Sequence, residues 1–270
     1  MDKFKLGIIG YGNMATAILN GILKADIIPK NAIIVTDIDR SKLSELNEKG
    51  ICTAADNQFI FDNSQYILLA VKPQIFDNLG ESLNFSTKAD AVISIMAGKK
   101  ISTIKEKFVE RPTVVRIMPN TPCLVGEGMS GLVFDDTSDR ELIGFVKSVF
   151  DSIGKTVEIS ESEIDNVSSI SGSGPAYCYM FANAVIKAGT ALGLDYDKAK
   201  LLTLQTIKGS LKMLENAESS EQIDELTERV CSKGGSTIEA VNYFKDHYFE
   251  GVIAAGIKKC KARNLELSKI

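Results

Sequence analysis

The sequence has few of the features that mark nucleic-acid-binding or membrane proteins. Its 270 residues contain no block of lysine or arginine, and the formal net charge is −4. Nucleic acids and anionic membranes are bound through clustered positive charge, so the composition favours a small-molecule partner. The longest apolar runs, such as AVISIMAG, are far shorter than the roughly 20 residues of a membrane-spanning helix. The opening segment MDKFKLGIIG leads directly into a glycine motif, which predicts a first strand and no cleavable signal.

Histidine and paired cysteines are also scarce. The five cysteines are scattered without a C-x-x-C pair, a pattern that predicts reduced thiols, a cytoplasmic location and no metal site; they are Cys52, Cys123, Cys178, Cys231 and Cys260. The single histidine, His247, stands beside aromatic residues near a predicted helix end. We expect a structural role for it rather than a catalytic one.

The first half of the chain alternates short β-rich runs with helical patterns. The runs KLGIIG, AIIVTD, YILLAV, AVISIM and TVVRIM are separated by segments long enough for helices, which predicts parallel βαβ units. YILLAV and AVISIM are apolar at consecutive positions, as central strands covered on both faces should be.

After KTVEIS the β-rich runs stop and long amphipathic helices follow. Pro175 suits the first turn of one helix, and Gly193 lies just past the end of that helix. Asp195 can cap the helix that follows. We therefore predict an α/β fold class, with a Rossmann domain over residues 1–160 followed by an all-α domain over residues 161–270. The apolar faces of these helices favour a dimer through the second domain.

A glycine motif opens the first predicted helix. Gly10, Gly12 and Ala15 form G-x-G-x-x-A between a strand and a helix, where the glycines allow a tight turn and the approach of a pyrophosphate to the backbone. The strand and helix on either side favour dinucleotide binding over a simple turn. Asp37 ends the second strand and is placed to bind the adenosine ribose, or else to serve as a helix-cap or turn aspartate. A carboxylate there favours NADH, although Arg40 could offset its repulsion of a 2′-phosphate.

Three more strands end in segments that should lie at the same edge of the sheet. These are residues 70–74, AVKPQ; Ala97-Gly98; and residues 118–122, MPNTP, where we count Asn120 among the cofactor contacts. Lys72 in the first segment could equally be a solvated surface residue. Backbone groups of the other two segments could frame a nicotinamide.

Two serine- and glycine-rich segments precede helices in the second half. SGSGP (residues 171–175) and SKGGST (residues 232–237) each bring exposed amides and hydroxyls to a helix N-terminus, which suits a carboxylate. The alternative is helix capping alone, and Ser236 with Glu239 matches a capping box. Two such segments beside a dinucleotide domain indicate a substrate pocket.

Together, GIIGYGNMATAI, AVKPQ, RIMPNTP, SGSGPAY and VCSKGGSTIEAV resemble the pyrroline-5-carboxylate reductase family in order and spacing over essentially the whole chain. Two positions depart from the family pattern. Lys233 replaces a usual proline, and Ile38 replaces a polar or basic residue that suits NADPH.

The resemblance implies reduction of 1-pyrroline-5-carboxylate to L-proline, the last step of proline biosynthesis, with NADPH or NADH, in a homodimer or a larger homo-oligomer. The residues that it assigns to the cofactor are Ile9, Gly10, Tyr11, Gly12, Asn13, Met14, Asp37, Asn57, Ala70, Val71, Lys72, Pro73, Ala97 and Gly98. The residues that it assigns to the substrate are Ser232, Gly234, Gly235, Ser236 and Thr237, with Glu161 and Ser171 nearby. Thr237 is expected to hydrogen-bond the ring nitrogen, a positioning role because a threonine hydroxyl is a poor acid.

Two other functions remain open from the sequence. A β-hydroxyacid dehydrogenase or another imine reductase would share the architecture and needs a catalytic residue in the helical domain, for which Lys187 is the nearest candidate. A non-catalytic dinucleotide sensor would keep the fold without the activity.

Overall fold

The computed structural model describes residues 3–78 and 85–267, which form two compact units. The first comprises the described residues up to Ser173 together with those from Cys260 onward, and the second comprises Gly174–Lys259. The short helices that follow the last strand are therefore grouped with the sheet by their contacts. The division at residue 160 into two functional domains stays a prediction.

The first unit is built on an eight-stranded sheet in the order β3-β2-β1-β4-β5-β6-β7-β8. The strands are β1 Phe4–Ile9, β2 Ile33–Thr36, β3 Cys52–Thr53, β4 Ser64–Leu69, β5 Ala91–Ser94, β6 Thr113–Met118, β7 Gly128–Phe134 and β8 Gly154–Glu158. All neighbouring pairs are parallel except β6 with β7. The order of the first six strands is that of a Rossmann domain, and the predicted fold class is confirmed.

Short helices connect these strands, and aspartates begin several of them. The helices of this unit are α1 Asn13–Lys24, α2 Arg40–Glu48, α3 Asn57–Asn63, α4 Pro73–Asn78, α5 Ile101–Lys107, α6 Arg140–Asp151 and α7 Ile164–Val167. Asp39, Asp56 and Asp139 each accept a hydrogen bond from a first-turn amide of α2, α3 and α6 respectively. These caps satisfy donors that a helix leaves without internal partners.

The core lies on both faces of the sheet. Along β1, Leu6 and Ile8 belong to one buried cluster, whereas Ile9 belongs to the other. This alternation follows from the two-residue repeat of a strand. Because helices cover both faces, β4 and β5 are buried over almost their whole length, and the prediction that they are central strands is confirmed.

Two strands were not among those predicted. β3 is only two residues long, and β7 contains Gly128 and Gly131, which lower its β propensity. Tertiary packing explains both glycines. A Cβ on Gly128 would lie 2.2 Å from Sγ of Cys123, and one on Gly131 would lie 2.9 Å from Ile159.

The second unit is helical. It contains α8 Gly174–Ala191, α9 Tyr196–Leu214, α10 Ser220–Val230, α11 Ser236–Asp246 and the start of α12 Phe249–Leu267, which ends in the first unit. Gly193 adopts a φ of +95° just after α8, and Asp195 caps α9 through the Lys198 amide, as the sequence predicted. No helix in the described part of the chain is long and apolar enough to cross a membrane.

Candidate functional site

The glycine loop at the end of β1 has the geometry of a phosphate-binding turn. Gly10 has a φ of +90°, and a Cβ there would lie 2.9 Å from the carbonyl oxygen of Ala70. A Cβ on Gly12 would meet nothing within 4 Å. The fold itself therefore requires Gly10, whereas the small size of Gly12 leaves room for a ligand at the N-terminus of α1.

Asp37 holds this loop in place. Its Oδ2 accepts a hydrogen bond from the amide of Tyr11 at 2.5 Å, and its Oδ1 accepts one from the amide of Asp39 at 2.8 Å. Of the alternative roles, that of a helix cap is wrong because Asp39 caps α2, whereas the hydrogen bond from the Asp39 amide is the contact expected of a turn aspartate. Each carboxylate oxygen has a second lone pair, so binding of a ribose hydroxyl by Asp37 stays compatible with these contacts.

Lys42 is a neighbour of Asp37 that the sequence did not single out. Its Nζ lies 4.0 Å from Oδ1 of Asp37 and donates to the carbonyl oxygen of Tyr11 at 3.2 Å. Arg40 turns to the carbonyl oxygen of Ala55, at 2.8 Å, and Ile38 is 97% exposed. Of these two cations, Lys42, in the first turn of α2, is therefore the one that lies beside Asp37.

The loop after β4 lies beside the glycine loop. The amide of Ala70 donates to the carbonyl of Ile9 at 2.9 Å, and Val71 lies 2.8 Å from where a Cβ on Gly10 would stand. Strands β1 and β4 are adjacent, and the chain order reverses between them, so both loops frame the crevice where open α/β sheets bind ligands. Lys72 is exposed, and its carbonyl accepts from amides of α4, which begins at Pro73.

A cleft of about 300 Å³ opens further along the same edge of the sheet. Its walls come from the start of α4, the loop after β5, the end of β6, α7 and the turn after it, and the end of α12; they include Pro73, Ala97, Gly98, Arg116, Met118, Ser168 and Asn264. Asn264 donates to Ser168 Oγ at 3.1 Å, which ties the last helix to this wall. The cleft therefore collects the predicted Pro73, Ala97 and Gly98 in one place.

Asn120 has a structural role that the sequence did not predict. Its Nδ2 donates to the carbonyl of Ser171 at 3.0 Å, and its Oδ1 accepts from the amide of Met129 at 2.9 Å. Both ends of this buried amide group are used within the protein. Asn120 thus ties the turn after β6 to the SGSGP segment, and direct contact with the cofactor stays a prediction.

Glu161 also has internal partners. Its Oε1 accepts from the amide of Ile101 at 2.8 Å and from Nη1 of Arg116 at 3.1 Å. The Arg116 side chain is only 5% exposed, whereas that of Glu161 is 34% exposed. The expected role of Glu161 near the substrate is a prediction that these contacts leave untested.

The SGSGP segment is more helical than expected. Residues Ser168–Gly172 form a π-helical turn, and the amide of Ser173 donates to the carbonyl of Ser168 at 2.8 Å. The Ser171 hydroxyl donates to the carbonyl of Val167 at 3.0 Å. The amide of Ser173 is thus used within the protein, the Ser171 side chain is half-buried beside Asn120, and the predicted role of this segment near the substrate stays a prediction.

The second glycine-rich segment fits an anion site better. Gly234 has a φ of +72°, Gly235 precedes α11, and the helix has no side-chain cap. The capping box predicted for Ser236 and Glu239 is wrong, because Ser236 is already the first helical residue. The first-turn amides of α11 are thus left for water or a ligand, and Ser232, Gly234, Ser236 and Thr237 are exposed.

The other candidate residues take structural or surface positions. His247 follows α11, donates from Nδ1 to the carbonyl oxygen of Tyr243 at 2.7 Å, and stacks on the Tyr243 ring. Lys187 is exposed on α8. All five cysteines are free, and the described residues contain no cluster suited to a metal ion.

Comparisons with known proteins agree with this architecture. Residues 5–98 match a family model described as NADP oxidoreductase, coenzyme F420-dependent, and residues 161–267 match one described as pyrroline-5-carboxylate reductase dimerisation. The chain is 35% identical to the pyrroline-5-carboxylate reductase of Pasteurella multocida, with complete coverage of both chains. The chain belongs to the pyrroline-5-carboxylate reductase family.

Solved structures of this family share the whole fold. The Coxiella burnetii reductase is 31% identical with a TM-score of 0.86 over 100% of both chains. The NADP-bound Plasmodium falciparum enzyme is 28% identical with a TM-score of 0.86 over 99% of both chains. The resemblance, the oxidoreductase class and the use of NADPH or NADH are confirmed, against a β-hydroxyacid dehydrogenase or a non-catalytic sensor. The dimerisation model also indicates an oligomer.

Proposed function

We propose that this protein reduces 1-pyrroline-5-carboxylate to L-proline with NADPH or NADH, the last step of proline biosynthesis. The observation that carries the proposal is the full-length similarity to reductases of that name. Each unit has local chemistry that supports the proposal: the first has a glycine loop open to a pyrophosphate, and the second has an uncapped helix N-terminus open to a carboxylate.

In the first unit, the proposed task of the chain is to hold the dinucleotide. The amides at the start of α1 meet the pyrophosphate over Gly12, and Asp37 orders the loop and accepts from the ribose. Ala97 and Gly98 line the cleft toward which the nicotinamide end would extend. Hydride donation is the chemistry that the bound dinucleotide supplies.

In the second unit, the proposed task is to hold the substrate. The first-turn amides of α11 and the small residues before it receive the substrate carboxylate, since a helix N-terminus favours negative charge. The Thr237 hydroxyl then reaches the ring nitrogen. This contact orients the imine carbon, and proximity of that kind contributes more to the rate than proton donation by a hydroxyl of high pKa.

We propose a homodimer, or a larger assembly of dimers, formed through the helical unit. Many large apolar side chains of this unit are exposed in the single chain, for example Met180 (72%), Leu192 (87%), Leu201 (70%) and Val252 (66%). An isolated soluble protein rarely leaves so many uncovered. Sedimentation should therefore find a dimer or a multiple of it, and a fully active monomer would contradict the proposal.

The remaining assignments follow from the same function. We propose a cytoplasmic enzyme whose partner is a small molecule rather than a nucleic acid, since the chain has a net negative charge and five free cysteines.

One assay tests the proposed reaction. Purified protein should oxidise NADPH or NADH when 1-pyrroline-5-carboxylate is added, with proline as the product identified by chromatography. A 3-hydroxy acid offered with the oxidised cofactor serves as the control substrate. Turnover of the hydroxy acid with none of the imine would overturn the proposal.

A further inference from the structure

We infer that Arg116 and Glu161 act together as positioning residues that fix the loop of residues 95–100, and through it the cofactor side of the cleft. Neither residue needs to touch the substrate for this role. The inference deepens the proposed function, because the loop contains Ala97 and Gly98, but its main test uses cofactor binding alone.

The carboxylate of Glu161 substitutes for a missing helix cap. Helix α5 begins at Ile101, and Lys100, the residue before it, provides no side-chain cap. Oε1 of Glu161, from a segment 60 residues further along the chain, accepts the amide of Ile101 at 2.8 Å. The end of the loop is thus held by an acidic group, which the N-terminus of a helix favours.

Arg116 holds that carboxylate in place from the opposite side. It lies on β6 directly opposite Ser94 of β5, the strand that leads into the loop. Its Nη1 donates to the same Oε1 of Glu161 at 3.1 Å, while its buried Nε has no hydrogen-bond partner among the described residues. The guanidinium therefore depends on Glu161 for its anionic contact, and loss of one partner leaves the other poorly compensated.

The loop connects this pair to the cleft. Ala97, Gly98 and Lys99 line the cleft, and Gly98 has a φ of +77°, a conformation that favours glycine. Glu161 is not among the cleft-lining residues. It borders a separate surface depression together with Ile101 and Ser102, so its influence on a ligand in the cleft passes through the loop and through Arg116, which lines the cleft.

This arrangement makes a prediction that a direct substrate role for Glu161 does not share. If Glu161 positions the loop, its removal lowers the fraction of molecules that are ready to bind the dinucleotide, even without substrate. The apparent dissociation constant rises as that fraction falls, by about tenfold if one molecule in ten keeps the loop in place. A direct substrate contact would change the kinetics with the imine and leave the Kd for NADPH unchanged.

The experiment compares Glu161→Ala and Glu161→Gln with Asp135→Asn. Asp135 pairs with Lys105 in the last turn of the same helix, so it is a matched control for general loosening of α5. NADPH binding is titrated by fluorescence without substrate, and the amide of Ile101 is followed by hydrogen exchange. We expect Kd to rise by about tenfold in Glu161→Ala and by about threefold in Glu161→Gln, which keeps an acceptor for Ile101.

Asp135→Asn should lower the melting temperature without changing the Kd for NADPH. Arg116→Met should accelerate exchange of the Ile101 amide, a readout that a cleft contact of Arg116 alone would not move. An unchanged Kd in Glu161→Ala with an increased KM for the imine would overturn the inference. Cofactor titration and exchange need no turnover, so absence of imine reduction in the unaltered protein would count against the proposed function only.

Discussion

The two glycines of the β1–α1 loop allow a matched test of dinucleotide binding. In Gly12→Ala the new methyl group meets no protein atom within 4 Å, so the fold should tolerate it. The change replaces glycine at the N-cap by the less favourable alanine, but it also restricts the unfolded chain. These effects oppose each other, so stability should change by no more than about 0.5 kcal/mol.

The same methyl group should strongly weaken cofactor binding. It would stand where the pyrophosphate approaches the amides of α1 and would lengthen hydrogen bonds to a charged group. Losing one such bond costs about 1.5–3 kcal/mol, which corresponds to a Kd for NADPH raised by roughly 10- to 100-fold. In Gly10→Ala the main loss should be in the stability of the fold. The φ of Gly10 is +90°, and the added Cβ would lie 2.9 Å from the carbonyl oxygen of Ala70.

Fluorescence titration with NADPH and thermal unfolding of both variants distinguish the two effects. We expect Gly10→Ala to lose about 1–3 kcal/mol of stability, the usual cost of a strained backbone conformation. Wild-type affinity for NADPH in a folded Gly12→Ala variant would refute the assignment of this loop to the pyrophosphate.

Three more predictions follow from other contacts. Lys42→Met removes the cation 4.0 Å from Asp37 and should raise the NADPH-to-NADH ratio of Kd values by about threefold, since the exposed lysine is screened; an unchanged ratio would exclude Lys42 from cofactor selection. Thr237→Ala should lower kcat/KM by roughly ten- to a hundred-fold with little effect on the Kd for NADPH. Ser236→Ala removes no helix cap, so its melting temperature should stay within about 1 °C of that of the wild type. Burial opposes ionisation of Asp135, but hydrogen bonds from Lys105 and two amides outweigh it and lower its pKa below 3.8; the carboxylate therefore stabilises the fold above about pH 4 and loses that effect as the pH falls through the folded pKa. Urea unfolding should show a smaller loss of stability on acidification in Asp135→Asn, and an identical loss would contradict the shift.

Local sequence patterns determined much of this protein. The spacing of G-x-G-x-x-A between a strand and a helix predicted the glycine loop, and consecutive apolar residues predicted the central strands β4 and β5. Pro175, Gly193 and Asp195 marked helix ends correctly, because capping depends on residues within one turn of each other. The motif set also identified the family across the full chain.

Only the tertiary structure decided contacts between residues that are far apart in sequence. Arg116 and Glu161 are 45 positions apart, and Lys42 and Tyr11 are 31 apart, so no local period records their approach. The side-chain amide of Asn120 is hydrogen-bonded to Ser171 and to Met129, and the contact with Ser171 forms only because the SGSGP segment lies beside the turn after β6 in the folded chain. The sequence predicted Ser236 as the cap of α11, but the helix begins one residue earlier, so that Gly235 is at the N-cap and no side chain caps the helix. Backbone hydrogen bonds determine such a boundary, and the composition of the segment does not.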